Sequence, residues 1–378
     1  MGKSSGFKQS CSVLCLVLVG ALGVAFGAPA RRPARYARHH RVYHHRRYYR
    51  ASYIDPAKDD VTTYDDPVVR QIAVEALGHQ SGSVVAVNPE NGRILSIVNQ
   101  KMAFSSALEP CSTIKPFVTI AALSEDVITG DTMLRVGPRR YMNLTEALAH
   151  SNNEFFQEVG TQLGFDREVK YEKMLGLGQK VGYDIPEEQP GYLPTAPPQF
   201  GGVARMSSFG EGIRITPFQL ASLVTMVANG GTQYYLQYPQ GPEAVASFRP
   251  RIRDHFDLQS YLPDLREGML GAVLYGTARR SYDPDGEQDL GKTGTCTDDH
   301  VGGHLGWFVS YADQQHPKIV LVVLLHGSNP WISGPRASGI AGQIYRGLYA
   351  HNYFATVADT HQDDYSGASD GEGSLASR

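Results

Sequence analysis

The sequence predicts an α+β domain whose sheet is assembled from the two ends of the chain. Segments typical of β-strands occur at residues 83–98 and again after residue 286, and the sequence between them carries helical patterns of apolar residues. Strands and helices that form separate runs along a chain favour an α+β fold over alternating βα units. With 378 residues, 42% of them hydrophobic, the chain can bury a sizeable core.

The N-terminal segment is predicted to direct the chain across a membrane. Residues 1–28 place Lys3 and Lys8 before an apolar run from Cys11 to Ala28, a layout typical of a signal peptide and about long enough for a membrane anchor. The arginines of residues 31–50 follow directly, where positive charge opposes export. We still expect export, because the chemistry inferred below requires it.

Charge and composition divide the rest of the chain into three parts. Residues 29–60 are rich in Arg, His and Tyr and are predicted to form a basic disordered linker, either a solvated tether or a segment that binds anionic lipid or wall polymer. Residues 356–378 are predicted to form an acidic disordered tail. One folded domain is therefore expected at residues 61–355. The formal net charge of −3 gives no reason to expect a nucleic-acid partner.

Local signals place the first elements of this domain. Asp66 and Pro67 are typical of a helix N-cap and first helical residue, which predicts a helix to about residue 79. Residues 83–98 form two β-rich runs around a turn and predict a hairpin. Residues 112–124 show apolar side chains at helical spacing, which predicts a helix with one apolar side.

Helices are predicted through the middle of the chain and strands near its end. Short helices broken by glycines are expected within residues 143–183, and a further helix opens at Thr216 and ends at the glycines of residues 230–231. The remaining predicted elements are two strands near residues 305–311 and 318–325 and a last helix at 335–350.

Three short motifs carry the candidate chemistry. They are a Ser-x-x-Lys pair at Ser112 and Lys115, a Ser-Asn-Asn triplet at residues 151–153, and a Lys-Thr-Gly triplet at residues 292–294. Each motif alone is weak evidence for catalysis, because the three patterns are also typical of a capped helix, a turn and the end of a strand. All three in this order, each on the expected kind of element, are far less probable by chance.

With these motifs the sequence resembles the transpeptidase domain of class B-like penicillin-binding proteins and the related serine β-lactamases. The similarity extends over about residues 65–352 and includes the hairpin, the segment E-P-C-S-T-I-K-P-F, the helix containing I-T-P-F-Q-L-A and the closing strands. The resemblance implies a five-stranded antiparallel sheet flanked by helices, a helical subdomain, and an active site between the two. No cofactor and no metal site are expected.

The resemblance also implies catalytic roles that suit the chemistry of the side chains. Ser112 is the expected nucleophile, and Lys115, one helical turn on, is its base. Burial near Lys292, a second cation, would lower the pKa of Lys115 towards neutrality. Ser151 is expected to pass a proton to the leaving nitrogen, and Asn153 to hydrogen-bond Lys115 and the substrate amide.

Substrate binding is assigned to the segment around the third motif. By resemblance, Lys292, Thr293 and Gly294 lie beside the terminal carboxylate of the substrate, and Thr295 adds a hydroxyl. The backbone N–H groups of Ser112 and Thr295 are expected to form the oxyanion hole.

Three kinds of family member are compatible with these motifs. A D,D-transpeptidase or D,D-carboxypeptidase would act on peptidoglycan stem peptides and be acylated by β-lactams, in the periplasm or on the outer face of the membrane. The alternatives are a class D-like serine β-lactamase and a non-catalytic penicillin-binding sensor or scaffold. The sequence has no Glu-x-x-Leu-Asn motif, no Tyr-Gly-Asn triplet and a polar Asn153, which favours the peptidoglycan enzyme. The donor peptide, and transfer as against hydrolysis, stay open.

Cys111 and Cys296 are the cysteines outside the targeting segment. Some carbapenem-hydrolysing class A β-lactamases carry bonded cysteines at the same two positions, before the serine and after Lys-Thr-Gly-Thr. This local similarity implies a disulfide, which suits an exported chain. Two buried free thiols are the alternative.

Overall fold

Residues 55–298, 302–314 and 316–355 are described by the computed structural model. The helices are α1 (Pro67–Leu77), α2 (Gln100–Ser105), α3 (Lys115–Ser124), α4 (Leu144–Ala149), α5 (Asn153–Leu163), α6 (Phe165–Met174), α7 (Gly202–Phe209), α8 (Pro217–Ala228), α9 (Pro242–Ala246), α10 (Leu262–Leu274) and α11 (Gly334–Ala350), with a 3₁₀ turn at Cys111–Ile114. The strands are β1 (Gly82–Val87), β2 (Ile94–Val98), β3 (Leu134–Gly137), β4 (Arg140–Met142), β5 (Thr232–Tyr234), β6 (Ile252–His255), β7 (Asp289–Thr297), β8 (His304–Ala312) and β9 (Ile319–Gly327).

The predicted segments at the two ends of the chain fall almost entirely outside these ranges. The expected signal peptide or anchor at 1–28 and the acidic tail at 356–378 are not among the described residues, and only the last six residues of the basic linker are. The bounds of the predicted domain at 61–355 therefore stay a prediction. Within the part of the chain that the structure describes, no helix combines the length and the apolar character needed to cross a membrane.

The sheet joins strands from both ends of the chain, as the sequence predicted. Its order is β2-β1-β9-β8-β7, and each neighbouring pair is antiparallel. The N-terminal hairpin thus pairs directly with β9, with Val84 opposite Val323. The expected α+β fold with a five-stranded antiparallel sheet is confirmed, and β7, which carries the Lys-Thr-Gly motif, lies at one edge.

The sheet is covered by helices on both faces. Along β9, Val320, Val322 and Leu324 pack into the core that contains α3 and α8, whereas Leu321, Val323 and Leu325 pack into the core that contains α1 and α11. Side chains alternate between the faces of a strand, so a strand buried on both faces needs apolar residues at every position. The continuous apolar run in the sequence of β9 follows from this.

Helix caps form where the sequence predicted them. The Asp66 side chain accepts hydrogen bonds from the Val68 and Val69 N–H groups, both at 3.0 Å, and opens α1. Thr216 and Gln219 form a reciprocal capping box at the start of α8. These local bonds satisfy N–H groups that a helix leaves without intrahelical acceptors.

The helix that follows Ser112 differs from its prediction in two ways. It begins as the 3₁₀ turn Cys111–Ile114 and becomes α-helical only at Lys115. Every residue from Lys115 to Leu123 is buried, so α3 has no solvated side. The apolar side is therefore buried as predicted, and the opposite side is buried as well, because α3 is enclosed on all sides.

Two carboxyl groups are buried in the helical region beside α3. Glu168 and Glu172 lie one turn apart on α6, and Ser207 of α7 donates a hydrogen bond to Glu168. Burial raises the pKa of Glu168 to about 8, and burial together with the charge of Glu168 holds the pKa of Glu172 well above its usual range. The folded state therefore keeps protons that the unfolded chain releases, so stability should fall as pH rises from about 4.5 to about 8.

Candidate active site

The candidate nucleophile lies on a turn that packs directly against the edge strand. Ser112 belongs to the 3₁₀ turn before α3 and is 8% exposed. A Cβ atom at Gly294 of β7 would lie 3.0 Å from the Pro110 carbonyl oxygen and 3.3 Å from the Cys111 Cβ. Trp307 of β8 donates a hydrogen bond of 3.0 Å to the Glu109 carbonyl and fixes the approach to the turn. Gly294 is thus required for this close contact.

Cys111 combines an unusual backbone conformation with a covalent contact to β7. Its φ is 50°, in the left-handed region that favours glycine. Its sulfur is bonded to that of Cys296, with the two α-carbons 5.7 Å apart, within the range that disulfides adopt. The cysteine thus occupies a position whose backbone conformation suits glycine better.

Lys115 reaches from α3 to the second motif. Its Nζ donates hydrogen bonds of 2.8 Å to the Ser151 carbonyl and 2.8 Å to Asn153 Oδ1, and lies 3.2 Å from Ser151 Oγ. The Phe156 ring lies 5.3 Å from the same nitrogen. The side chain is fully buried.

Lys292 approaches the same hydroxyl from the sheet. Its Nζ lies 2.7 Å from Ser151 Oγ and donates a second hydrogen bond of 2.8 Å to the Thr293 carbonyl. Two lysines that are 177 positions apart (292 − 115) therefore meet at one serine oxygen. This convergence of the three motifs is the central feature of the site.

Burial lowers the pKa values of both lysines, and the charge of Lys292 adds to the shift of Lys115. Loss of hydration lowers the pKa of Lys292 to about 7. Burial, and after it the charge of Lys292, hold the pKa of Lys115 well below its usual range, although Glu154 opposes this shift. Two ammonium groups repel each other around one buried hydroxyl, so this arrangement favours loss of a proton from the pair.

Backbone geometry holds the second motif in place. Ser151 has a φ of 53° and lies in the turn between α4 and α5. The Asn152 side chain caps α5 by accepting from the Phe155 N–H group at 2.8 Å, and the Asn152 N–H donates to the Ala147 carbonyl. These bonds direct the neighbouring side chains of Ser151 and Asn153 towards Lys115.

The Ser112 hydroxyl is not bonded to Lys115 in this structure. It donates a long hydrogen bond of 3.4 Å to the Ser208 carbonyl at the end of α7. Ser112 therefore does not act as a helix N-cap, which was the structural alternative for this motif. The serine and the lysine lie three residues apart across the junction between the 3₁₀ turn and α3.

The substrate-binding residues expected on β7 are divided between buried and open positions. Thr295 is exposed, and its Oγ1 accepts a hydrogen bond of 2.8 Å from the Gly334 N–H group. Thr293 is 4% exposed, and its Oγ1 lies 2.6 Å from Thr277 Oγ1. Thr277 follows α10 and carries no motif of its own, so no sequence pattern predicted its place beside Thr293.

A family model described as the penicillin binding protein transpeptidase domain matches residues 82–350. Among curated proteins, Stage V sporulation protein D of Bacillus subtilis is 28% identical over 322 residues, covering 72% of this chain and 50% of that protein. The peptidoglycan D,D-transpeptidase MrdA of Haemophilus influenzae is 22% identical over 351 residues, covering 70% of this chain and 52% of the relative. This chain thus spans about half the length of these relatives.

Solved structures agree on the fold. The transpeptidase domain of penicillin-binding protein 3 from Burkholderia pseudomallei superposes with a TM-score of 0.66 at 21% identity, covering 76% of this chain and 96% of that domain. A Burkholderia ambifaria protein described as a peptidoglycan glycosyltransferase gives a TM-score of 0.64 at 21% identity. The match covers 75% of this chain and 97% of that protein's chain. At this level of identity the similarity concerns the fold.

Proposed function

Since this chain belongs to the penicillin-binding protein transpeptidase family, we propose that it is a serine D,D-transpeptidase that acts on peptidoglycan stem peptides through an acyl-enzyme. The observation that carries the proposal is the convergence of Lys115 and Lys292 on the Ser151 hydroxyl, at 3.2 and 2.7 Å, beside Ser112. A single buried lysine could be structural, but two that share one hydroxyl form a proton-transfer site.

Lys115 is the general base in this proposal. A neutral amine has two N–H donors and one lone pair, and the Ser151 carbonyl and Asn153 Oδ1 take the two donors at 2.8 Å each. The lone pair remains for a hydroxyl proton. The lowered pKa favours the neutral amine, which is the state a base needs.

Acylation follows from these positions. The Ser112 oxygen attacks the carbonyl carbon of the penultimate residue while its proton passes to Lys115, and the charge on the carbonyl oxygen is held by the N–H groups of Ser112 and Thr295. The C–N bond then breaks as the Ser151 hydroxyl delivers a proton to the leaving amine, and Lys115 returns a proton to Ser151. An ester on Ser112 and free D-alanine result.

In deacylation an acceptor amine is the nucleophile and Ser112 is the leaving group. The amine attacks the ester carbonyl, and its proton passes to the Ser151–Lys115 pair. The pair gives a proton to the Ser112 oxygen as the ester C–O bond breaks, which leaves a new peptide bond and a free Ser112 hydroxyl. If water replaces the amine, the same steps hydrolyse the peptide, so the carboxypeptidase activity is the same chemistry with a different acceptor. Lys292, with Thr295, is proposed to bind the terminal carboxylate and so to position the leaving residue.

The proposal includes export and the cysteine pair. The apolar run at residues 11–28 would take the domain to the cell-wall side of the membrane, as a signal peptide or as an anchor. In that oxidising setting Cys111 and Cys296, whose α-carbons lie 5.7 Å apart, would be joined covalently. β-Lactams are the expected covalent inhibitors.

The test measures how fast the protein is covalently labelled by a penicillin and how fast the label is lost. The purified full chain is incubated with a fluorescent penicillin, and labelled protein is followed over time beside Ser112→Ala. Labelling that needs Ser112 and persists for many minutes supports the proposal. A second assay supports it if the enzyme releases D-alanine from a stem peptide and forms a cross-linked product when an acceptor amine is added. Label lost within seconds, with multiple turnovers of nitrocefin, would instead identify a β-lactamase. Labelling without any reaction on peptides would identify a sensor.

A further inference from the structure

A cavity of about 370 Å³ adjoins the candidate active site beyond the end of the Lys-Thr-Gly motif. One wall is the outer end of β7 from Thr295 to Thr297, with Asp298 directly after it. The opposite wall is formed by Phe209 at the end of α7 and by residues 211–214. Thr295 belongs both to this cavity and to the proposed oxyanion hole. The cavity is therefore a continuation of the catalytic cleft.

The direction of β7 assigns the cavity to one side of the substrate. In the proposed function the leaving residue and its carboxylate lie towards Lys292, and the bond that breaks lies at Ser112. The acyl donor must then extend the other way along β7, past Thr295 towards Asp298. Three residues of a strand span about 10 Å, which is enough for one side chain of the donor.

Arg214 is the cation of this cavity whose guanidinium has no partner in the part of the chain that the structure describes. Its backbone N–H and carbonyl form hydrogen bonds with Tyr192 at 2.9 and 2.8 Å, and the adjacent Ile213 and Ile215 are buried, so the residue is held firmly. Among the described residues, its half-buried guanidinium forms no side-chain hydrogen bond and has no carboxylate within ion-pair distance. An arginine held in this way is suited to a carboxylate from outside the protein.

The other charged groups at the cavity are already engaged. Arg205 forms an ion pair with Glu211, and its guanidinium lies 5.0 Å from the centre of the Phe209 ring. Glu109 and Asp298 each have a further interaction partner. A ligand that brings a carboxylate into this cavity would thus meet one available cation, Arg214.

We propose that Arg214 determines substrate specificity by binding a carboxylate on the donor side chain that enters this cavity. The inference rests on the proposed function, because that function defines the donor side of the cleft. It adds a preference that the three motifs do not contain. A donor peptide whose side chain ends in a carboxylate should react faster than the same peptide with a carboxamide.

Two penicillins that differ by a single carboxylate supply a matched pair of probes. Benzylpenicillin has an uncharged acylamino side chain, and carbenicillin carries one carboxylate on the same carbon framework. The second-order acylation rate constant is measured for both compounds with the full chain, with Arg214→Ala and Arg214→Lys, and with the control Arg249→Ala. Arg249 is an exposed arginine outside this cavity, so the control makes the same change of charge elsewhere.

The ratio of the carbenicillin rate to the benzylpenicillin rate should fall about 10- to 100-fold in Arg214→Ala, as expected for loss of a hydrogen bond to a charged group. In Arg214→Lys the ratio should fall less than in Arg214→Ala, and in Arg249→Ala it should equal the wild-type value. Benzylpenicillin should react at the wild-type rate in every variant. The same loss should appear in D-alanine release from peptides whose donor side chain ends in a carboxylate. Peptides whose donor side chain ends in a carboxamide should show no such loss. An unchanged ratio in Arg214→Ala would overturn the inference alone. Failure of the wild-type chain to react with either penicillin would overturn the proposed function and the inference with it.

Discussion

Loss of the Cys111–Cys296 bond is expected to lower both the stability of the domain and its rate of acylation. The bond joins the turn that carries Ser112 to the strand that carries Thr295. Two double variants remove it: Cys111→Ser with Cys296→Ser, and Cys111→Gly with Cys296→Ser. They differ only at residue 111, whose φ of 50° suits glycine better than serine.

The expected magnitudes follow from the loop and from the backbone angle. The bonded cysteines are 185 residues apart, for which chain entropy gives about 5 kcal/mol of stabilisation as an upper figure, since residual structure in the unfolded chain reduces it. A left-handed conformation costs a residue other than glycine about 1–2 kcal/mol. The glycine variant should therefore be more stable than the serine variant by about 1 kcal/mol, once the greater freedom of unfolded glycine is subtracted.

Urea unfolding and acylation kinetics measure the two effects on the same samples. Unfolding midpoints and slopes are compared for the oxidised wild-type chain, the reduced wild-type chain and both variants. Acylation by a fluorescent penicillin is expected to slow several-fold in both variants and in the reduced chain, because a displacement of catalytic groups by about 1 Å is costly. The glycine and serine variants should differ in stability but be slowed alike.

Three results would refute parts of this reasoning. If the serine variant and the oxidised wild-type chain unfold at the same urea concentration with equal slopes, the bond does not stabilise the domain. If the serine variant is more stable than the glycine variant, the left-handed conformation of Cys111 carries no cost. Unchanged acylation in both variants would show that packing alone holds Ser112 against β7.

Four further predictions concern the catalytic groups and the buried carboxyls. Ser112→Ala should abolish covalent labelling by fluorescent penicillin while its melting curve stays close to that of the wild-type chain; persistent labelling at the wild-type rate would exclude Ser112 as nucleophile. Lys115→Met should slow acylation by about 10²–10⁴. In Lys292→Met the loss of a neighbouring positive charge should raise the pKa of Lys115, so the acid limb of the acylation rate should move to higher pH; a shift to lower pH would contradict this. Glu172→Gln should reduce the loss of stability between pH 5 and pH 8, which reaches about 1.4 kcal/mol per pH unit for each group with a raised pKa; urea midpoints at both pH values test it, and an unchanged difference would argue against a buried acidic pair.

The sequence by itself determined those elements whose signals are local. The cap at Asp66 and the capping box at Thr216 and Gln219 bond within one helical turn, so the residues that specify them are adjacent in the chain. The two apolar strands at the end of the chain were visible because burial on both faces leaves a continuous apolar run. The order of the three motifs, with the family resemblance, indicated where the chemistry lies.

Only the tertiary structure decided how those residues act on one another. The pKa values of Lys115 and Lys292 depend on burial and on a distance between groups 177 positions apart, and neither quantity is contained in a local pattern. The left-handed angle of Cys111 arises where the 3₁₀ turn meets β7. The position of Arg214 beside the end of β7 likewise comes from segments about 80 residues apart. Such properties are set by long-range packing, so they follow from the folded chain and not from its sequence pattern.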